Sequence, residues 1–268
     1  VSETSLVPVP GSELGEATPL LVVEHLRREF GGVVAVDDAS FEIGAGTITS
    51  LIGPNGAGKS TVVGIVGGAT RPTSGTVRFA GQDVTGIPPY RRAGQGLIRT
   101  FQLSSQFSHL TTLENLLVAA PHQRGEEFRT LLLGKRLWRR EQDALLEQAH
   151  ELLVRFHMFD MRDEYAGNLS GGQRRLVEIM RALMAEPKLL LLDEPMAGVN
   201  PTLARLIEGY LLDLAAEGIT LMLVEHELDV VERLSDEVIV MAQGRTIATG
   251  SMAELRENEE VVRAYLEG

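Results

Sequence analysis

Apolar and polar residues alternate in LLVVEHLRREF (20–30) and VVAVDDASFEI (33–43), which predicts two strands separated by Gly31-Gly32. TITSLIG (47–53) runs apolar through Leu51-Ile52 into a glycine-rich loop and reads as a buried strand, with a helix expected after Lys59. TVRFAGQDV (76–84) suggests a strand pair turning at Ala80-Gly81, and GLIRTF (96–101) a further short strand. From about Leu110 to Ala185 the pattern becomes helical. Thr111 with Glu114 fits a capping box before LENLLVAA, and Arg136 to Phe156 carries apolar residues at helical spacing. After Pro187 strands return in KLLLLDE, GITLMLVEH and DEVIVMAQGR, with a helix expected over Thr202 to Glu217. The ending SMAELRENEEVVRAYLEG reads as helical, with Ser251 and Glu254 placed for a capping box.

Strands alternating with helices imply an α/β fold with a largely parallel sheet. The helical block interrupts that sheet, so the expectation is an α/β core with an inserted helical lobe. Residues 1–19 carry Glu and Pro but no Lys or Arg, and read as a disordered tail without the basic start of a signal peptide. The longest apolar runs, such as Leu189 to Leu192 and Ile219 to Val224, are strand-length. They fall far short of the roughly 20 residues a membrane span needs.

Composition narrows the chemistry. The 268 residues suffice for one large domain with a real core. A formal net charge of −12 argues against a surface built to hold nucleic acid. The chain has no cysteine, which excludes disulfides, thiolate metal sites and cysteine nucleophiles.

Two stretches carry chemistry on their own. Gly53-Pro54-Asn55-Gly56-Ala57-Gly58-Lys59-Ser60 satisfies G-x-x-x-x-G-K-[ST] between an expected strand and an expected helix. The glycines let backbone N–H groups turn inward around phosphates, Lys59 supplies a positive charge near them, and the Ser60 hydroxyl is a ligand for Mg²⁺. LLLLDEP places Asp193 and Glu194 at the carboxyl end of a buried strand, where the ligand crevice of a parallel sheet opens. Asp193 is placed to hold Mg²⁺, and Glu194 to polarise an attacking water.

A third stretch poses a question. Ser170-Gly171-Gly172-Gln173 fits a capping box, with Ser170 capping and Gln173 reaching back. Capping does not require two glycines, whereas close approach of an anion to a helix start favours them. The first loop already serves this chain's own phosphate. The second is therefore expected to bind a phosphate held by another chain, in a head-to-tail pair enclosing two ATP molecules.

With LSGGQ at 169–173 behind the phosphate loop and ahead of LLLLDEP, the chain resembles the ATP-binding-cassette (ABC) ATPases over essentially all of Leu20 to Gly268. The resemblance implies a P-loop NTPase core, with a mostly parallel sheet plus an antiparallel β subdomain, and an inserted α-helical subdomain. On that pattern 20–104 and 187–268 form the nucleotide-binding core and 105–186 the helical subdomain. It also implies ATP with Mg²⁺ and an extended set of site residues. Gly53, Asn55, Gly56, Gly58, Lys59, Ser60 and Thr61 hold nucleotide, Phe30 stacks on adenine, and Ser170, Gly171, Gly172 and Gln173 meet the partner's ATP. Gln102 in RTFQ matches the glutamine that senses Mg²⁺ and the γ-phosphate, so the metal set is Ser60, Gln102 and Asp193. His226 in LMLVEH matches the switch histidine, which joins Glu194 and Gln102 in catalysis. Asn200 in AGVN departs from the aspartate of many relatives.

Within the family, IRTFQ, LTTLENLLVAA, QRRLVEI, DEPMAGVNP and VVRAYLEG resemble the ATP-binding subunits of bacterial branched-chain amino acid importers. That implies transmembrane permease subunits and a second ATPase subunit as partners, a binding protein that delivers substrate, and a place on the cytoplasmic face of the bacterial plasma membrane. The arm GEEFRTLLLGKRLWRREQDALLEQAH reads as a solvated helix pair or as a contact with the permease or membrane surface. Urea or amide importers and a lipopolysaccharide exporter use similar ATPases, and soluble ABC ATPases form a further alternative. The long coiled coils, zinc inserts or second cassette of those soluble relatives are not in this sequence, and Glu194 and His226 argue against a scaffold that does not hydrolyse.

Overall fold

The computed structural model describes residues 18–100, 107–121 and 135–267. Most of the expected tail, residues 1–17, and residues 122–134 of the arm lie outside them.

β1 (Leu21–Phe30) and β2 (Val33–Ile43) pair antiparallel, with Phe30 opposite Val33. Both residues of the Gly31-Gly32 turn take positive φ, 53° and 90°, which a two-residue hairpin demands. β4 (Ser74–Phe79) pairs with β1 and with β5 (Gln82–Asp83), turning at Ala80-Gly81 as expected. β3 (Ile48–Ile52) runs parallel to β8 (Thr220–Val224) and β9 (Glu237–Ala242). β7 (Leu189–Asp193) lies parallel between β8 and β6 (Leu97–Arg99). β10 (Arg245–Gly250) pairs antiparallel with β9 and meets β2 at Arg245–Asp38. It thereby joins the antiparallel strands to the parallel ones in the order β5-β4-β1-β2-β10-β9-β3-β8-β7-β6.

β3, β7 and β8 are buried at every position, which the apolar runs of β7 and β8 reflect, while β3 carries the buried polar residues Thr49 and Ser50. Along β7 the pleat sends Leu189 and Leu191 to one core and Leu190 and Leu192 to the other. The first core includes α1 (Lys59–Val66), through Val62 and Ile65, and the antiparallel strands. The second includes Leu116 of α3 (Thr112–Ala119), Leu153 of α4 (Lys135–Arg155), and Ile179 and Met180 of α5 (Gly171–Met184). Those three helices and two short 3₁₀ turns occupy the described chain between β6 and β7, which are neighbours in the sheet. The capping box at Thr111 and Glu114 is formed.

Beyond β7 come α6 (Pro201–Ala216), α7 (Leu228–Leu234), α8 (Met252–Glu257) and α9 (Glu259–Glu267). The ending is helical, as expected, and consists of two helices. Asn258 takes extended backbone and its Oδ1 accepts from the N–H of Glu260 and Val261, starting a second helix where the first stops. Ser251 and Glu254 form the expected capping box. Leu255 and Val261 pack with Val238 and Val240 of β9 and with Ile52, the last residue of the strand that leads into the glycine loop. Among the described residues no helix is long and apolar enough to cross a membrane.

Three elements carry no clear sequence period: β10, α7 and α2 (Pro89–Ala93). In α2, Arg92 is fully buried and donates to the carbonyls of Ile65, Val66, Thr85 and Ile87. It satisfies the end of α1, whose last turn has no basic residue of its own. Desolvation lowers its pKa to about 10, against the pull of Asp83. Arg92→Ala strands those carbonyls and is expected to destabilise the fold by about 3 kcal/mol. Urea unfolding followed by circular dichroism reads this out, and an unchanged midpoint would contradict it.

Candidate nucleotide site

The glycine loop is shaped by close backbone approach. A Cβ on Gly53, whose φ is 148°, would lie 2.0 Å from the Met241 carbonyl oxygen, and one on Gly58 2.5 Å from that of Ala35. Gly58, at φ 98°, starts α1 with no side-chain cap, and the first turn has no acidic residue. The helix thus presents its first N–H groups, and the positive end of its dipole, to the loop. Asn55, Gly56 and Ser60 are exposed and Thr61 is half-buried.

Lys59 folds back, its Nζ donating to the carbonyls of Gly53 at 2.7 Å and Pro54 at 3.0 Å. Burial lowers its pKa, opposed by the negative charges of Glu194 and then Asp193. Those carboxylates therefore face the loop. Asp193, paired with Val224 at the end of β7, has Oδ2 3.3 Å from Arg99 Nη2. Glu194 follows with φ 48°, a left-handed conformation that a residue with Cβ rarely adopts, and its N–H donates to Val224 O. Its Oε1 lies 3.7 Å from Nδ1 of His226, just beyond β8. That distance is an electrostatic contact rather than a hydrogen bond. The structure thus assembles Lys59, Asp193, Glu194 and His226 from segments up to 167 positions apart (226 − 59). A positive helix end, a lysine and two carboxylates beside a histidine suit binding of a polyphosphate and attack on it by water.

Glu225 is buried beside this group, its Oε1 accepting from Met196 N–H at 3.4 Å. Burial raises its pKa from 4.5 to about 7, against the lowering effects of the Met196 N–H and His226, with Glu227 adding to the rise. The folded state binds this proton more tightly than the unfolded state. The stability it contributes is complete below pH 4.5 and is lost as pH rises toward 7. Glu225→Gln is expected to recover about 3 kcal/mol at pH 8 and little at pH 4. Equal shifts in thermal midpoint at both pH values would refute this.

Phe30 stands at the end of β1, 46% exposed, with the Arg28 guanidinium carbon 4.3 Å from its ring centroid. It is not a core residue. Ser170 and Gln173 form the capping box at the start of α5. The two glycines differ. Gly171 is open, with nothing within 4 Å of a built Cβ, whereas the space beside Gly172 is filled by a Leu203 methyl at 2.0 Å. Close packing against α6 accounts for the second glycine. Among the described residues no hydrogen bond or ion pair joins Ser170–Gln173 to the glycine loop. Gln102 lies outside the described residues. Asn200 caps α6, its Oδ1 accepting from Leu203 N–H at 3.0 Å. An aspartate there would cap equally well.

Residues 36–197 match the ABC transporter family. The chain belongs to that family. It is the ATPase subunit of an ABC transporter, binds and hydrolyses ATP, and works with permease partners. Its mixed α/β fold, a mostly parallel sheet with added antiparallel strands, is that of an ABC cassette. The probable branched-chain amino acid transport ATP-binding protein LivG of Archaeoglobus fulgidus is 38% identical over 247 residues, covering 92% of this chain and 95% of that one. The high-affinity branched-chain amino acid transport ATP-binding protein LivG of Escherichia coli (strain K12) is 38% identical over 249 residues, covering 92% and 98%. A nucleotide-free ATP-binding cassette from an ABC transporter superposes with a TM-score of 0.81 at 36% identity, covering 92% of this chain and 98% of that one. An ATP-binding cassette in its ADP conformation superposes at 0.80 with 36% identity, covering 93% and 99%.

Sequence reasoning passed over Arg99, Arg175 and Glu225 as site residues. Arg175 N–H groups reach the carbonyls of Asp193, Glu194 and Pro195. The sequence signal is slight: a basic residue two positions after Gln173, one just before TFQ, and an acid just before His226.

Proposed function

We propose that this ABC ATPase powers import of branched-chain amino acids across the bacterial plasma membrane, from its cytoplasmic face. The reading is supported by relatives at 38% identity over 92% of the chain whose names carry that transport. The core is assigned to 20–104 and 187–268 and the helical subdomain to 105–186, in keeping with the helices between β6 and β7. Gly53, Asn55, Gly56, Gly58, Lys59, Ser60 and Thr61 hold the ATP phosphates and Phe30 stacks on adenine. Ser170, Gly171 and Gln173 meet the γ-phosphate bound by a second ATPase subunit, and Gly172 sets that turn through its packing on α6.

Water adds to the γ-phosphorus, the bond to the β-phosphate bridging oxygen breaks, and ADP and inorganic phosphate leave. Glu194 takes the proton from water as it attacks, and His226 helps to orient that water and the γ-phosphate. Ser60, Asp193 and Gln102 are proposed to hold Mg²⁺, which supplies charge neutralisation at the phosphates. Oxygen donors of this kind fit the ion. Among the described residues there is no cluster of three His, Cys, Asp or Glu for a metal. Asp193 would be the one carboxylate of the proposed set, and Mg²⁺ sites at phosphates commonly use one or two carboxylates.

The test is to purify the chain, through a tag, from gently solubilised native membranes. Two polytopic subunits and a second ATPase are expected with it, and the associated binding protein should take leucine, isoleucine or valine. Recovery without membrane partners, or a binding protein selective for another solute, would overturn the proposal.

A further inference from the structure

Arg175 lies two residues beyond Gln173 on α5 and turns toward the acidic pair. Its Nη2 donates to the carbonyl of Asp193 at 3.2 Å and to that of Glu194, and its Nε to that of Pro195 at 3.1 Å. Its Nη1 donates to Glu178 Oε2 at 2.6 Å, and both side chains are nearly buried, 13% and 9% exposed. One planar guanidinium therefore grips three successive carbonyls while a carboxylate one turn away fixes its orientation. The gripped segment is the one in which Glu194 takes its left-handed φ. On its other side Glu225 accepts the Met196 N–H. The backbone carrying Glu194 is thus held between Arg175 near the start of α5 and Glu225 just beyond β8.

We propose that Arg175 is a positioning residue for hydrolysis, coupling the Ser170–Gln173 turn to the Glu194 of the same chain. This rests on the reading of Glu194 as the base and of that turn as the contact for the opposite ATP. The N-terminal end of α5 then faces two ways. Ser170 and Gly171 meet the nucleotide of the other subunit, and Arg175 holds the backbone of this chain's own hydrolytic carboxylate. Seating the opposite γ-phosphate against that turn sets the guanidinium, and the guanidinium sets Glu194. Each site becomes competent only when its counterpart is filled. Helix stability alone needs neither the three carbonyl bonds nor a buried arginine, since Ser170 and Gln173 already cap the helix.

The experiment uses the transporter complex purified through a tag on this chain. Arg175→Gln, Arg175→Lys, Ser170→Ala, the Ser170→Ala/Arg175→Gln double variant and Glu194→Gln are measured for kcat, KM, ATP Kd and thermal midpoint. Arg175→Gln is expected to lower kcat roughly 10-fold to 100-fold through misplacement of the carboxylate, with ATP Kd within about threefold of wild type. Arg175→Lys does not restore kcat, because a compact ammonium cannot replace the planar fork. In the double variant the loss is smaller than the product of the two single losses, which is the signature of coupling. A kcat within twofold of wild type for Arg175→Gln overturns the positioning role, and multiplicative losses overturn the coupling. If Arg175→Gln fails to assemble, Arg175→Lys carries the same comparisons, including the cycle with Ser170→Ala. Near-normal turnover in Glu194→Gln would instead remove the underlying reading of Glu194, an outcome separate from any result at Arg175.

Discussion

Glu194→Gln, measured in the assembled transporter, is expected to cut ATP turnover by about 10²- to 10⁴-fold while ATP remains bound. The amide preserves the shape of the side chain and can still face His226 Nδ1, which the carboxylate meets at 3.7 Å. It cannot accept a proton from water, so the chemical step loses its base. Binding should not suffer. Glu194 is the larger of the two negative influences on Lys59, and removing a negative charge beside a polyanion site favours the phosphates. The expected result is low kcat, undiminished affinity, and closed nucleotide sandwiches that outlast those of wild type in size-exclusion chromatography. The assembled complex is the right sample because a chain that pairs with a different ATPase subunit need not close on itself. Turnover near wild type would remove Glu194 from the role of base.

Lys59→Ala is expected to act one step earlier, raising the ATP Kd by about 10- to 100-fold and lowering turnover below detection. Lys59 Nζ donates to the Gly53 and Pro54 carbonyls, inside the loop proposed to hold the phosphates. Alanine removes those bonds. It also removes a cation that the structure places against both Asp193 and Glu194, leaving Arg99 against Asp193 alone, so phosphates would enter against a more negative site. Titration with a fluorescent ATP analogue separates this loss of binding from the loss of chemistry at Glu194. Retained ATPase activity in the purified variant would take Lys59 out of the site.

Features built from neighbouring residues were legible in the sequence. The Gly31-Gly32 hairpin, the capping boxes at Thr111, Ser170 and Ser251, and the strand-loop-helix of 48–66 all formed where expected. Each depends on contacts within a few positions, so residue type and spacing are enough. The ending is helical as expected, but the break at Asn258 has no signal in the helical pattern, because asparagine is tolerable inside a helix by propensity. Its side chain instead bonds the next two amides and restarts the chain direction. α2 escaped notice because five residues are too few to show a period, and its purpose is to bring Arg92 under α1. β10 lacks strong alternation because it is a seam between β9 and β2.

By itself the sequence carried a phosphate-loop pattern at Gly53–Ser60, two carboxylates at a strand end, and strands alternating with helices around them. These are local patterns, dictated by backbone freedom, helix dipoles and burial along short segments. Only the tertiary structure decided which distant side chains hold those parts in place. Arg99 reaches Asp193 across 94 positions, and Glu225 reaches the Met196 amide across 29. Arg175 spans the carbonyls of Asp193, Glu194 and Pro195, and Leu203 fills the space that keeps residue 172 a glycine. Such contacts leave no spacing signature. They arise where adjacent strands and helices bring buried polar groups together, and each such group must find a partner once water is excluded.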